Sequence, residues 1–150
     1  AELWGYLGFY STPNPALLAL VEEYAPDGLS YRGPVAKTDV QATYETFDAC
    51  LLILGAGAYV TSGKVFEYAA TALPIVSIHD PGNAASDVLR GYPLWFPVAD
   101  LSPESIAGAL ASAAHAAGWS DHPPASCAGP RAFPPPRFPP ADVRVTCAVA

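Results

Sequence analysis

The chain carries little positive charge. Of its 150 residues only seven are Lys or Arg, against fourteen Asp or Glu, which gives a net charge of −7 and a pI near 4.6. Proteins that bind nucleic acid normally present a basic face that displaces counterions from the phosphates. The composition therefore predicts no nucleic-acid partner. Any anionic ligand must be held by helix N-termini and one or two local cations.

Cysteine and histidine are also scarce. The three cysteines, Cys50, Cys127 and Cys147, are odd in number and far apart, so no disulfide framework follows and no CxxC motif is present. The three histidines share no metal-ligand spacing with the cysteines. We therefore expect no metal and no cofactor.

Long apolar runs are absent as well. The longest, residues 49–60, is too short to span a bilayer and contains two glycines. No cationic leader with a cleavage site precedes it. These absences predict a cytoplasmic protein without a transmembrane segment.

What is present is an alternation of short apolar strands with helices. The chain is 51% hydrophobic and 14% charged, which suits a packed core. Strand patterns followed by helix patterns over short loops predict parallel strands joined by crossovers. We expect an open Rossmann-like α/β sheet with helices on both faces over residues 1–117. Predicted strands are residues 3–10, 29–33, 48–55, 74–78 and 94–98; predicted helices are 15–24, 40–47, 62–73, 84–91 and 102–118.

The composition changes after this region. Seventeen prolines are many for one compact domain, and PPP and PP clusters cannot lie in a central strand or a helix interior. Residues 118–150 are predicted to be a Pro-rich irregular tail, poorly structured, that ends in the short alternating run VRVTCAVA. This tail is compatible with a ligand for proline-recognition domains, but also with a segment that has no selected function.

The loop GAGAYVTSG precedes the helix predicted at residues 62–73. Ligands of open parallel sheets bind outside the carboxyl ends of the strands, where such loops lie. Thr61 or Ser62 can cap the helix, Gly63 lets the backbone approach a ligand, and Lys64 adds a positive charge. Together they predict an anion site at the helix N-terminus.

Glu67 follows one turn later. A carboxylate only accepts hydrogen bonds, which suits two neighbouring hydroxyls such as those of a ribose. The alternative is structural, because Lys64 and Glu67 are spaced i, i+3 and can simply pair on a solvated face. Spacing alone leaves both interpretations open.

The ordered segment SGKVFEYAATALPIVSI, with the upstream GPVAKTDVQATYETFDACLLIL, resembles the nucleotide-binding part of glycosyltransferase-B fold enzymes, especially glycosyltransferase family 4. The resemblance covers residues 29–117. It implies that Glu67 binds the ribose hydroxyls of a nucleotide sugar. It also implies that the backbone of residues 62–64 faces the diphosphate and donor sugar, and that the backbone near Val35 meets the base.

Four departures from this family bear on activity. Many members place a second glutamate eight positions before the ribose-binding one, where this chain has Tyr59. The first loop, GFYSTPN, has no phosphate-clamping Arg, and one β–α unit of the usual domain is missing. The family's fold also needs an N-terminal acceptor domain, for which 150 residues leave no room. A parent chain or partner would have to supply that domain; the alternative is a non-catalytic Rossmann-like interaction module.

Overall fold

The computed structural model describes residues 1–9, 12–55, 62–118 and 145–148. Its strands are β1 (Glu2–Trp4), β2 (Gly8–Phe9), β3 (Thr12–Pro13), β4 (Ser30–Gly33), β5 (Ala49–Ile53), β6 (Ile75–Ile78), β7 (Trp95–Pro97) and β8 (Val145–Ala148). Its α-helices are α1 (Pro15–Tyr24), α2 (Val40–Tyr44), α3 (Gly63–Ala70), α4 (Ala84–Leu89) and α5 (Pro103–Ala116). No helix in these ranges is both long and apolar enough to cross a membrane.

Six strands form one open sheet in the order β4-β1-β8-β5-β6-β7, and every pair in it is parallel. Strands β2 and β3 form a separate antiparallel pair. The predicted open parallel α/β fold is therefore confirmed. Because the chain passes from β1 to β4 on one side and then to β5 on the other, the strand order reverses near β1, where sheets of this type bind ligands.

Helices cover both faces of the sheet. Alternate residues of a strand point to opposite faces, and the two sides of β5 and β6 pack on different helices. One face packs against α2, α3 and α4, through a cluster that comprises Tyr44, Phe47, Cys50, Leu52, Val65, Tyr68, Ile75, Ala85 and Leu89. The other face packs against α5, through a cluster of Val76, Val98 and Ala113.

Four predicted helix starts are confirmed by side-chain caps. In each case an oxygen of the residue before the helix accepts a hydrogen bond from a backbone N–H of the first turn, which would otherwise lack a partner. The capping residues are Asn14, Ser62, Asn83 and Ser102.

Three predicted elements were clearly too long, and one of them is the helix predicted over residues 40–47, which ends at Tyr44. The strand predicted over residues 3–10 ends at Trp4, because Gly5 takes φ +113° and turns the chain out of the extended region. The helix predicted over residues 62–73 ends at Ala70. There the Thr71 hydroxyl bonds to the carbonyl of Tyr68, and Ala72 takes φ +60°, which a helix cannot continue through.

Four residues of the segment 118–150 belong to the sheet. That segment was predicted to be a Pro-rich, poorly structured tail, and within it Val145–Ala148 pairs with β1 on one side and β5 on the other. This strand joins the β4-β1 pair to the β5-β6-β7 unit. The clusters PPP and PP lie outside the described residues.

Candidate functional site

A cavity of about 140 Å³ lies at the carboxyl ends of β1 and β4, beside the start of α3. The backbone there is held by a hydrogen bond from the Gly5 amide to the Gly33 carbonyl, at 2.9 Å. The Tyr31 hydroxyl also donates to the Gly5 carbonyl, at 2.8 Å. Residues from four elements and their flanking loops line the cavity: Trp4, Gly5, Tyr6, Pro34, Val35, Val40, Thr43, Tyr44, Phe47 and Lys64.

The lining is mainly aromatic and aliphatic, with one charged group. Trp4 and Phe47 pack with ring centroids 6.0 Å apart, and Phe47 and Tyr44 are 5.9 Å apart edge to face. Lys64 supplies the positive charge. Such a surface suits a planar ring attached to an anionic group. Complete small-molecule pockets hold roughly 300–1,000 Å³, so this cavity fits only part of a nucleotide sugar.

Lys64, Glu67 and Tyr44 form a hydrogen-bonded cluster at the cavity wall. The Lys64 ammonium lies 2.6 Å from Glu67 Oε2 and 3.1 Å from the Tyr44 hydroxyl. The Tyr44 hydroxyl donates to the same Oε2 at 2.8 Å. Both bonds therefore converge on one carboxylate oxygen.

The three groups shift each other's ionisation. The hydrogen bond from the Lys64 ammonium, followed by that from the Tyr44 hydroxyl, lowers the pKa of Glu67. Burial alone would lower the pKa of Lys64, but hydrogen bonds to Glu67 and Tyr44 outweigh it and raise that pKa. Burial raises the pKa of Tyr44. At neutral pH the cluster therefore holds an ammonium, a carboxylate and a protonated phenol.

The structure brings together some of the predicted site residues. Val35 and Lys64 both line the cavity. Ser62 caps α3 by accepting from the Lys64 amide at 3.2 Å, and Gly63 is the first residue of that helix. Among the described residues, a Cβ added at Gly63 would meet no atom within 4 Å. Thr61, like Tyr59, lies outside the described residues.

Glu67 takes the position that the structural alternative predicted. Its side chain is 45% exposed, it pairs with Lys64 at i, i+3 spacing, and it does not line the cavity. It is connected to the cavity through its two partners, Lys64 and Tyr44, which do line it. The pairing and a ribose contact are not exclusive, because Oε1 takes part in neither of these two bonds.

Tyr44 is the residue that sequence reasoning missed. In the helix predicted over residues 40–47, positions 40, 44 and 47 form one apolar face, so the sequence places Tyr44 in the core. Its phenol carries a hydroxyl that needs a partner when buried, and this was the available signal.

Two other sequence features have structural roles. His79 Nδ1 lies 2.9 Å from the backbone oxygen of Asp80, while the Asp80 carboxylate accepts from the Gly82 amide at 2.7 Å. The side chains therefore form no His–Asp acid/base pair, as expected of a turn.

Arg32 bonds to Glu2, at 2.8 Å. Within the described ranges no group of His, Cys, Asp and Glu is arranged to hold a metal ion.

Comparison with known family models, curated proteins and solved structures gives no match for this chain. The geometry of the cavity and its charged cluster, together with the motif resemblance, is what bears on function.

Proposed function

We propose that this chain is the nucleotide-sugar-binding part of a glycosyltransferase, in which a hexosyl unit passes from a nucleoside diphosphate sugar to an acceptor. The observation that supports it best is that Val35 and Lys64, far apart in sequence, line the same cavity at the carboxyl edge of the sheet. These are two of the residues that the family resemblance assigns to the base and the diphosphate.

In this proposal the aromatic cavity takes the base. The diphosphate lies over Lys64 and the first N–H groups of α3, where the helix dipole favours an anion. Glu67 accepts hydrogen bonds from the ribose hydroxyls. The acceptor site and the remaining catalytic groups belong to a second domain or a partner chain, so this chain alone is inactive.

The charge order within α3 also supports an anionic ligand. A lysine in the first turn of a helix opposes the helix dipole and does not help the helix to form. Gly63 beside it is a poor helix former, and no atom of the described part of the chain lies close enough to require the lack of a side chain there. Both residues become useful when an anion approaches the helix start.

The test is calorimetric titration with UDP, GDP and inorganic pyrophosphate, comparing wild type with Glu67→Gln. A hydrogen bond to a charged group contributes about 1.5–3 kcal/mol. We therefore expect Glu67→Gln to weaken binding of the favoured nucleoside diphosphate roughly 10- to 100-fold. Pyrophosphate has no ribose, so its binding should stay equal or become tighter as Lys64 loses a competing carboxylate.

Two variants serve as controls. Asp87→Asn removes the acid of another i, i+3 pair, between Asp87 on α4 and Arg90 directly after that helix. Neither residue lines the cavity, so this variant should change the binding of neither ligand. Gly63→Ala should leave the fold intact and weaken the binding of both ligands, because its methyl group keeps the phosphates away from the helix start. Equal or tighter nucleotide binding by Glu67→Gln would contradict the ribose role.

A non-catalytic interaction module is the second candidate. It is favoured by the 2.6 Å Lys64–Glu67 contact, which uses the carboxylate within the chain, and by the absence of Glu67 from the cavity lining. This candidate predicts no binding heat with any nucleotide or pyrophosphate. Turnover of a nucleotide sugar by the chain with a partner domain would exclude it.

A further inference from the structure

Tyr44 joins the aromatic cavity to the charged cluster. Tyr44 is 9% exposed, and its ring packs edge to face on Phe47 and on Tyr68, with each pair of ring centroids 5.9 Å apart. Tyr68 is itself fully buried. The Tyr44 ring therefore has little freedom, and its hydroxyl oxygen has a fixed position at the cavity wall.

The two charged side chains are more exposed than the tyrosine. Lys64 and Glu67 are 26% and 45% exposed, and long side chains of this kind lose considerable rotamer freedom when they are ordered. The Tyr44 hydroxyl bonds to both, and the Lys64 ammonium lies 5.8 Å from the centre of the Tyr44 ring. One rigid phenol thus orders two flexible ions.

We propose that Tyr44 is a positioning residue of the nucleotide site. Its hydroxyl holds the Lys64 ammonium against the aromatic cavity and ties Glu67 through Oε2, which leaves Oε1 for the sugar hydroxyls. The base pocket and the phosphate-binding cation then keep a fixed separation before the ligand arrives. This inference rests on the proposed function.

Preorganisation sets the size of the expected effect. Ordering a long side chain only upon binding costs affinity that a prearranged side chain does not lose. Tyr44→Phe keeps the ring and the shape of the cavity but removes the hydroxyl. We expect it to weaken binding of the favoured nucleoside diphosphate about three- to tenfold. In a Lys64→Met background the same change should have a smaller effect, because the cation that it positions is gone.

Tyr92→Phe is the matched control. The Tyr92 hydroxyl donates to the backbone carbonyl of Leu73 at 2.8 Å, away from the cavity lining. Tyr92→Phe removes one partly buried hydroxyl bond, whereas Tyr44→Phe removes two, those to Glu67 and Lys64. This control should leave nucleotide affinity unchanged, even where thermal unfolding shows a similar loss of stability.

NMR titration of the Glu67 carboxyl gives a readout that does not need a ligand. Because the Tyr44 hydroxyl is one of two groups that lower the pKa of Glu67, Tyr44→Phe should raise that pKa and Tyr92→Phe should not. A Glu67 pKa that stays unchanged in Tyr44→Phe would show that the hydroxyl does not hold Glu67, and would contradict the positioning role.

The outcomes separate the two proposals. If wild type binds no nucleotide, the proposed function fails, and the role of Tyr44 fails with it. If wild type binds but Tyr44→Phe binds equally well, only the positioning role is overturned. Weaker binding together with a raised Glu67 pKa supports it. If the binding losses of Tyr44→Phe and Lys64→Met add independently, the inference is overturned as well.

Discussion

Helices α3 and α4 are built alike but carry opposite charge orders. Each follows a parallel strand, and each is capped by the side chain of the preceding residue. Each buries two side chains fully, and each holds an ion pair spaced i, i+3. In α4 the acid, Asp87, precedes the base, Arg90, which agrees with the helix dipole. In α3 the base, Lys64, comes first.

The two ion pairs also differ in how exposed they are to solvent. Asp87 and Arg90 are 73% and 75% exposed. In the α3 pair Lys64 is 26% and Glu67 45% exposed. Lys64 also bonds to the buried Tyr44 and lines the cavity. Sequences that break a local rule tend to do so at functional sites. The comparison therefore agrees with the proposal that α3 serves a ligand, whereas the charge order of α4 favours helix stability.

The largest expected effect comes from disturbing β8. Thr146 lies in a strand paired on both sides, so Thr146→Pro must leave ladder groups without partners, at about 1–3 kcal/mol each. Strand β5, which leads into α3, borders β8 directly, whereas β6, which leads into α4, does not. Hydrogen exchange should therefore show a greater loss of protection in β5 and α3 than in β6 and α4.

Thr146→Val is the matched control, since it keeps the N–H and suits a strand. It should leave the exchange pattern unchanged. Uniform protection in Thr146→Pro, with an unaltered unfolding temperature, would show that the two helices do not differ in their dependence on β8.

The position of β8 also shows what the sequence could not reveal. Caps such as Asn83 were predictable because they depend on side chains within three residues of the backbone that they satisfy. The partner of a strand depends on residues far away along the chain. The run VRVTCAVA carried the alternation of a strand, but the prolines before it favoured an irregular tail, and nothing local placed it between β1 and β5.

The candidate site was predictable in part for the same reason. Ser62 was predicted from its place directly before a helix and Lys64 from its place in the first turn of that helix. The family resemblance added Val35. The cavity was not predictable, because its shape depends on how far the ends of β1 and β4 lie from the aromatic rings of residues 44 and 47. Tyr44 reads as core in sequence, and only the structure shows where its hydroxyl points.

A smaller effect is expected at the two caps. Replacing a capping side chain with Ala costs about 0.5–2 kcal/mol. Asn83 is 2% exposed and Ser62 is only partly buried, so Asn83→Ala should lie in the upper half of that range and Ser62→Ala in the lower half. Chemical denaturation measures both, with Asn83→Asp and Ser62→Asp as variants that retain a cap. An equal cost at the two positions would mean that burial does not distinguish these helix starts.

The smallest effect tests the charge order itself. Exposed ion pairs contribute about 0.2–1 kcal/mol, and a charge near a helix end about 0.3–1 kcal/mol. In Arg90→Met both losses have the same sign, and at more than 70% exposure each lies near the low end of its range, so stability should fall by about 0.5–1 kcal/mol. In Lys64→Met the loss of the pair is offset by removal of a cation from the helix start, and the net change should be close to zero. Urea denaturation at low ionic strength measures the difference, which added salt should reduce.

At low pH the effect of Lys64→Met on the free energy of unfolding is expected to change sign. A lowered carboxylate pKa gives a contribution that is present above the ordinary glutamate range and is lost as pH falls through the lowered pKa. Once Glu67 is protonated, Lys64 keeps its unfavourable position near the helix start but has lost its anionic partner. Lys64→Met should then be more stable than wild type. A Lys64→Met chain that stays less stable than wild type at every pH would show that the helix dipole does not govern this position.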